Sequence, residues 1–327
     1  MQKGNIYMEI LRLISEIRNP VLDKFFGIVT YLGSGVVALT IIMILYWCLD
    51  KKLGYRLGFA MIVAGMTAQI LKLAFRIPRP WVLDPKFKPV KSAVKGATGY
   101  SFPSGHSTQV TATAGGIAGY ILGENNPFKN AVKTKRDRLK VVLISAIIVG
   151  LVVFSRMYLG VHTPLDVSVA VIISSIVAII TDKLFSRYIE KKDNGYIVAV
   201  ILIIILGIIG AVYDLYMYNH KITTYADSKD AIKMAGVAIG LSLGWFVEKK
   251  YVNFKEKGIG LKLQIIKVVL GVATTFGLRI LLKTIANNLF KGMFAWHMIR
   301  YAILVFWVVG IYPVFIKKFF SPKEEEQ

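Results

Sequence analysis

The chain has 327 residues, 55% of them hydrophobic and 18% charged, with a mean hydropathy of +0.57; soluble domains carry charge on roughly a quarter of their residues, so a water-soluble globular fold is excluded and a membrane protein is expected. The formal net charge of +22 resides in short Lys and Arg clusters between apolar runs, without an RNA-binding signature or a basic tail, so it reads as topology signals and not as a nucleic-acid surface. Cys48 is the only cysteine, which excludes a disulfide framework or a cysteine-based metal site within one chain.

The first apolar run follows a long mixed start, MQKGNIYMEILRLISEIRNP, and lacks a small-residue cleavage site, so no removable signal peptide is expected. Within residues 1–24, Ile10, Leu11, Leu13, Ile14 and Ile17 fall at roughly helical spacing among charges, the pattern of a helix lying in the membrane interface. Asn19-Pro20 ends it. Crossing the hydrocarbon takes about 20 mostly apolar helical residues. That rule gives nine candidate spans near 28–49, 53–75, 105–123, 139–156, 163–186, 196–218, 230–247, 261–283 and 300–318. An all-α, polytopic membrane helical bundle is the expected fold. Gly115, Gly119 and Gly123 in the third span, and Gly236, Gly240 and Gly244 in the seventh, repeat every four residues and predict close helix contacts. With the N-terminus on side A, the side-B segments gather more Lys and Arg than side A once three site cations are set aside, which makes side B cytoplasmic.

Three stretches place ionisable groups at span ends on side A: KLAFRIPRP (72–80), SFPSGHS (101–107) and SRMYLGVHTPLD (155–166). They supply Lys72, Arg79, Arg156, His106, His162 and Asp166. Three clustered cations ask for a multiply charged anion, and the guanidinium fork matches phosphate oxygens. PSGH opens the third span, so the amides of Ser104, Gly105 and His106 are expected to point at an anion with the helix dipole behind them. Gly105 allows close approach. HTPLD opens the fifth span, with Thr163 as N-cap and Pro164 at the first helical position, which puts Asp166 one turn after His162. A carboxylate that holds one ring nitrogen fixes the tautomer and leaves the other nitrogen's lone pair to attack. His106 can then protonate the departing oxygen, as suits phosphoryl transfer, where catalysis is mostly positioning and charge stabilisation.

Taken singly, these residues have plainer readings. Lys72 and Arg79 can snorkel to the interface, Ser104 can be a cap, and Thr163 with Asp166 forms a capping-box pattern. Arg76 reads as snorkelling, and His220 and His297 as interfacial. Asp182, Asp214 and Glu248, near the ends of apolar spans, are expected to be paired or solvated and not to mark a transport path. Trp81, Phe87, Tyr100 and Phe102 fit an interfacial aromatic belt, with a second reading as guides for an acyl or prenyl chain.

K-x6-R-P from Lys72, P-S-G-H at 103–106 and S-R-x5-H-x3-D from Ser155 together resemble the three-part signature of the type 2 phosphatidic acid phosphatase (PAP2) family, whose site is shared with vanadium haloperoxidases. The resemblance runs from about residue 10 to 186. It implies a five-span catalytic core at 25–192 and an integral membrane lipid phosphatase without cofactor or metal. Its substrates would be lipid phosphomonoesters or diphosphates, such as phosphatidic acid, phosphatidylglycerol phosphate, an isoprenyl diphosphate or a sphingoid phosphate. By the same resemblance His162 forms a phosphohistidine, Asp166 orients it and His106 is the general acid. The resemblance also implies that Lys72, Arg79, Ser104, Gly105 and Arg156 hold the phosphate, and the Lys and Arg distribution places that side-A site at the extracytoplasmic face of the cell membrane. About four further helices in 193–327 depart from compact members and leave substrate choice open. The rival readings are a lipid flippase or transporter, and a phosphoryl or phosphatidyl transferase using the same anion site. The expected partners are a lipid phosphate and the bilayer, with no nucleic acid; oligomeric state has no sequence signal.

Overall fold

The computed structural model describes residues 6–123, 127–289 and 293–320. Among them are fourteen α-helices and no strand. In chain order they are α1 (Ile6–Glu16), α2 (Pro20–Val29), α3 (Gly35–Ile44), α4 (Lys51–Phe75), α5 (Pro80–Leu83), α6 (Lys91–Val94), α7 (Gly105–Leu122), α8 (Lys135–Tyr158), α9 (Pro164–Leu184), α10 (Gly195–Asn219), α11 (Tyr225–Val247), α12 (Leu261–Leu289), α13 (Phe294–Phe306) and α14 (Tyr312–Phe319). Asn19 separates the first two: its side chain accepts from the amides of Val21 and Leu22, with Pro20 at the first helical position.

Among the described residues, seven helices are long and apolar enough to cross a membrane, or eight if one bent pair is a single span. The bent pair is the first candidate span. Expected as one stretch near 28–49, it runs instead from Pro20 to Leu49 with a 52° bend. The break falls at Gly33 and Ser34, where Ser34 is extended and its Oγ accepts from the Val37 amide. Gly33 is packed so closely that an added Cβ would lie 2.8 Å from the His106 carbonyl oxygen and from Val152. The third candidate span forms as α7, yet it is not among the seven apolar helices. Its sequence, GHSTQVTATAGGIAGYIL, is rich in hydroxyls and glycine, and residues such as Thr108, Thr111 and Thr113 are buried. It packs along α8, so protein and not lipid is its main neighbour.

The chain forms two compact units, one from Met1–Ala38, Val63–Lys183 and Tyr216–Ser228, the other from Leu39–Ile62, Leu184–Leu215 and Lys229–Gln327. All three motif stretches lie in the first unit. There α1 turns Met8 and Leu11 onto Phe87 and Met157, and Phe26, Tyr158, Leu159 and Val161 form a second cluster around the turn after α8. Ile10, Leu13 and Ile17 remain exposed on the other side of this N-terminal segment.

In the second unit, Gly236, Gly240 and Gly244 of α11 press on Met298, Ala302 and Val309, leaving no room for a side chain. The triplet in α7 is looser: Cβ atoms at Gly115 and Gly119 would meet Ala178 and Asp182 at 3.6 and 3.8 Å, ordinary contacts. Glu248, fully buried, pairs with Lys51 Nζ at 3.0 Å and accepts a short hydrogen bond from the Tyr55 hydroxyl. A buried carboxylate held in this way is a structural tie, as its sequence position suggested.

Candidate active site

Lys72 occupies the last turn of α4, and the chain then leaves the helix through Arg76, which is exposed and left-handed at φ +49°. The next cation, Arg79, precedes Pro80 and is therefore extended. Its guanidinium is almost fully used. Nε donates to the Gly99 carbonyl at 3.0 Å, Nη2 to Thr98 at 2.7 Å, and Nη1 both to Val161 at 3.0 Å and to His162 Nε2 at 3.0 Å. Lys72 Nζ donates to the Tyr100 carbonyl at 2.9 Å. The first motif thus grips the segment 98–101 that leads into PSGH, a third role beside snorkelling and phosphate binding.

Helix α8 ends at Tyr158 with Arg156 in its last turn, and Gly160 at φ +72° reverses the chain toward α9. Only glycine suits that position, because a Cβ would also lie 2.7 Å from Arg18 Nη2 and 2.9 Å from the Phe87 ring. Arg18 fixes the turn by donating from Nε to the Tyr158 carbonyl at 2.8 Å and from Nη1 to Lys88 at 2.6 Å. Arg156 is buried, with Nη1 on Thr30 Oγ1 at 2.7 Å and Nε without a hydrogen-bond partner. Thr30 lies in the last turn before the bend of the first span.

His162 and Asp166 are both buried, with Nδ1 and Oδ2 separated by 3.6 Å, too long for a good hydrogen bond. Ser101 fills the gap: its hydroxyl donates to Asp166 Oδ2 at 2.6 Å and lies 3.4 Å from His162 Nδ1. Asp166 Oδ2 also accepts the Thr163 amide at 2.7 Å, while Thr163 Oγ1 accepts the Asp166 amide at 3.3 Å. The capping box and the histidine-facing carboxylate are therefore one arrangement, not alternatives. Burial first, then the charges of Arg79, Arg156, Lys72 and His106, hold the His162 imidazole well below its usual pKa. The ring is neutral at neutral pH.

Ser104 N-caps α7, its Oγ accepting from the Ser107 amide at 3.4 Å and from the Ser107 hydroxyl at 3.0 Å. Its own amide donates to the Asp166 carbonyl at 3.0 Å, which corrects the expectation that it faces an anion. The first-turn amides of Gly105 and His106 remain, and a Cβ on Gly105 would meet nothing within 4 Å. The aromatics also differ from a belt: Phe87 is buried beneath α1 and Phe102 is buried edge-on against Phe75. His220 is outside this constellation, exposed with Nδ1 on the Tyr216 carbonyl at 2.9 Å. Ser101, Thr30, Arg18 and Gly160 carried no assignment from sequence. Only Gly160, a glycine between two helices, offers a local signal.

A helical membrane fold that brings a buried histidine, its carboxylate and three cations from separate motifs to one place defines the class. The chain belongs to the PAP2 superfamily, which residues 53–194 match, and residues 232–324 match the PAP2 superfamily phosphatase transmembrane extension. Phosphatidylglycerophosphatase B of Bacillus subtilis (strain 168) is 30% identical over 156 residues, 46% of this chain and 69% of the relative. A probable sphingosine-1-phosphate phosphatase of Dictyostelium discoideum is 30% identical over 184 residues, 55% of this chain and 42% of the relative. Among solved structures, LpxE of Aquifex aeolicus is 30% identical with a TM-score of 0.42, covering 56% of this chain and 98% of that one. The chain spans about half the length of the sphingosine-phosphate phosphatases it matches.

Proposed function

We propose that this protein is an integral membrane lipid phosphatase that cleaves a lipid phosphomonoester or diphosphate through a phosphohistidine on His162. The observation that carries the reading is the placement of that ring, buried, with Nε2 3.0 Å from the Arg79 guanidinium and Nδ1 facing Ser101 and Asp166. In the reaction Nε2 attacks phosphorus and the bond from phosphorus to the lipid oxygen breaks. His106, which takes up a proton once the bound phosphate dianion offsets Lys72, Arg79 and Arg156, gives it to that oxygen. Arg79, Lys72, Arg156 and the amides of Gly105 and His106 balance the charge on the phosphoryl oxygens. Water then gives a proton to His106 and attacks the phosphorus, the bond from phosphorus to Nε2 breaks, and inorganic phosphate leaves with both histidines restored.

A lipid substrate is supported by a groove of about 580 Å³ between α7, α8 and α9, lined by Thr111, Gly115, Ser145, Gly150, Ser168 and Ser175. Thr111 lies five residues along α7 from His106, so the groove opens near the site. The basic clusters of the other loops favour an extracytoplasmic site. Relatives named for sphingoid phosphates and for phosphatidylglycerol phosphate mark both as first candidates. The test is phosphate release by the purified protein from phosphatidic acid, phosphatidylglycerol phosphate, a sphingoid phosphate and an isoprenyl diphosphate. His162→Ala is expected to abolish release; a wild-type rate from that variant would remove the nucleophile and the proposal with it.

A further inference from the structure

We infer that Ser101 is a positioning residue for His162, passing the influence of Asp166 to the nucleophile through its hydroxyl. The inference rests on the phosphohistidine reading, and it assigns the residue by hydrogen accounting. A serine hydroxyl has one proton and two lone pairs, a carboxylate only accepts, and a guanidinium only donates. The 2.6 Å contact with Asp166 Oδ2 has the length of a charge-assisted O–H···O⁻ bond, so the serine proton is committed there. What Ser101 Oγ offers His162 Nδ1 at 3.4 Å is then a lone pair, and the ring proton must sit on Nδ1. The donor-only Arg79 Nη1 lies 3.0 Å from Nε2 and 3.5 Å from Nδ1, and its shorter contact, the one to Nε2, takes a lone pair there. The shorter arginine contact and the serine contact require the same tautomer, the one whose Nε2 can attack.

The serine is held as firmly as this role demands. It is fully buried, its amide donates to the Ile77 carbonyl at 2.8 Å, and its carbonyl faces Lys72 Nζ at 3.5 Å. Arg79 fixes the two residues before Tyr100 through the Thr98 and Gly99 carbonyls. The first motif thereby sets the height of Ser101 against the third motif's His162 and Asp166. A cap for the carboxylate alone would need neither the contact with Nδ1 nor this anchoring.

The charged groups facing His162 are Lys72 and Arg79 on α4 and the loop after it, Arg156 on α8, His106 on α7 and Asp166 on α9. Without the hydroxyl, the Nδ1 proton turns to Asp166 directly, and a carboxylate in contact favours the imidazolium. The sign follows: the ring protonates at higher pH, so the acid limb of the pH profile moves up. Ser101→Ala is therefore expected to lower kcat by about 10- to 100-fold, the range for loss of an outer partner that orients a histidine. KM should stay within about twofold, because Ser101 does not face the substrate.

The experiment measures kcat, KM and the acid limb for the full-length protein in detergent, with Ser101→Ala, the near-isosteric Ser101→Cys and His162→Ala in parallel. Both serine variants are expected to lower kcat and raise the acid limb. Ser101→Cys covers the case in which Ser101→Ala fails to fold. A wild-type acid limb in a folded variant, with or without a slower rate, leaves the serine a merely structural role and overturns the inference. An active His162→Ala protein instead overturns the phosphohistidine reading, so the two failures are told apart.

Discussion

Replacing Gly160 with alanine adds one methyl group to the turn that carries His162. At φ +72° an L residue costs about 1–2 kcal/mol more than glycine. The new Cβ would lie 2.7 Å from Arg18 Nη2 and 2.9 Å from two carbons of the Phe87 ring. Neither neighbour yields freely: Phe87 is packed under Met8 and Leu11, and the guanidinium is tied to the Tyr158 and Lys88 carbonyls at 2.8 and 2.6 Å. Giving up one such charged hydrogen bond costs about 1.5–3 kcal/mol, and its partly solvated setting puts it at the lower end. The sum is about 2.5–3.5 kcal/mol, concentrated two residues before His162. Thermal unfolding in detergent and phosphate release are the assays. Gly160→Ala should lower both Tm and kcat. Adding Arg18→Ala removes the obstructing guanidinium, so the double variant should be more stable than the sum of the single losses. Wild-type Tm and rate in Gly160→Ala, or strict additivity in the double variant, would refute the reasoning.

Protonation supplies a second expectation: the acid limb of kcat/KM falls below the ordinary histidine value of 6.5, because burial and then Arg79, Arg156, Lys72 and His106 disfavour charging His162. An acid limb near pH 8 would contradict it. The same depression affects stability. The unfolded chain takes up the proton first as pH falls, so stability erodes below about pH 6.5 and is complete above it. His162→Ala should flatten that part of a denaturation-versus-pH curve. Gly105→Ala meets open space, so Tm should hold while kcat/KM falls about tenfold as the methyl crowds the anion beside the first-turn amides; unchanged kinetics would remove Gly105 from the phosphate cradle. Gly150 also has nothing within 4 Å of an added Cβ and lines the groove, so Gly150→Leu should raise KM for a long-chain lipid phosphate and spare a short-chain, water-soluble one. Equal effects on both would disconnect the groove from the substrate's tail.

Much of this arrangement was legible because its signals are local. Helical spans announce themselves by length and hydropathy, and K-x6-R-P, P-S-G-H and S-R-x5-H-x3-D each carry charges at fixed spacing. What escaped is what depends on distant contacts. Ser101 meets Asp166 across 65 positions, Thr30 meets Arg156 across 126, and Arg18 meets Tyr158 across 140. A lone serine, threonine or arginine has no periodicity to betray such a partner. The bend at Gly33 was hidden for the same reason, since the need for a bare backbone arises from His106 and Val152, far along the chain. Helix α7 shows the converse: its glycine spacing predicted closeness, but the tight glycine seam lies in α11, because only the opposing helix decides how near two backbones come.

Under the proposed mechanism, the hydrogen bonds of Arg79 link substrate binding to activation of His162. Four of its five N–H groups are engaged, three with the carbonyls of Thr98, Gly99 and Val161 and one with His162 Nε2. The carbonyl bonds hold the chain in shape, so releasing one would loosen the segment that carries Ser101 or the turn that carries His162. The bond to Nε2 holds nothing but a lone pair. A phosphate oxygen, being charged and able to accept two such donors, is a better partner for Nη1 than a neutral imidazole. Under the proposed mechanism the arriving phosphate takes that donor, and the nitrogen it uncovers is the one that attacks. Before then the same contact keeps Nε2 occupied and disfavours its protonation. Arginine suits the position because a single rigid fork can grip two chain segments and still present a donor to the anion; lysine, with one ammonium at the end of a flexible stem, would have to choose between them.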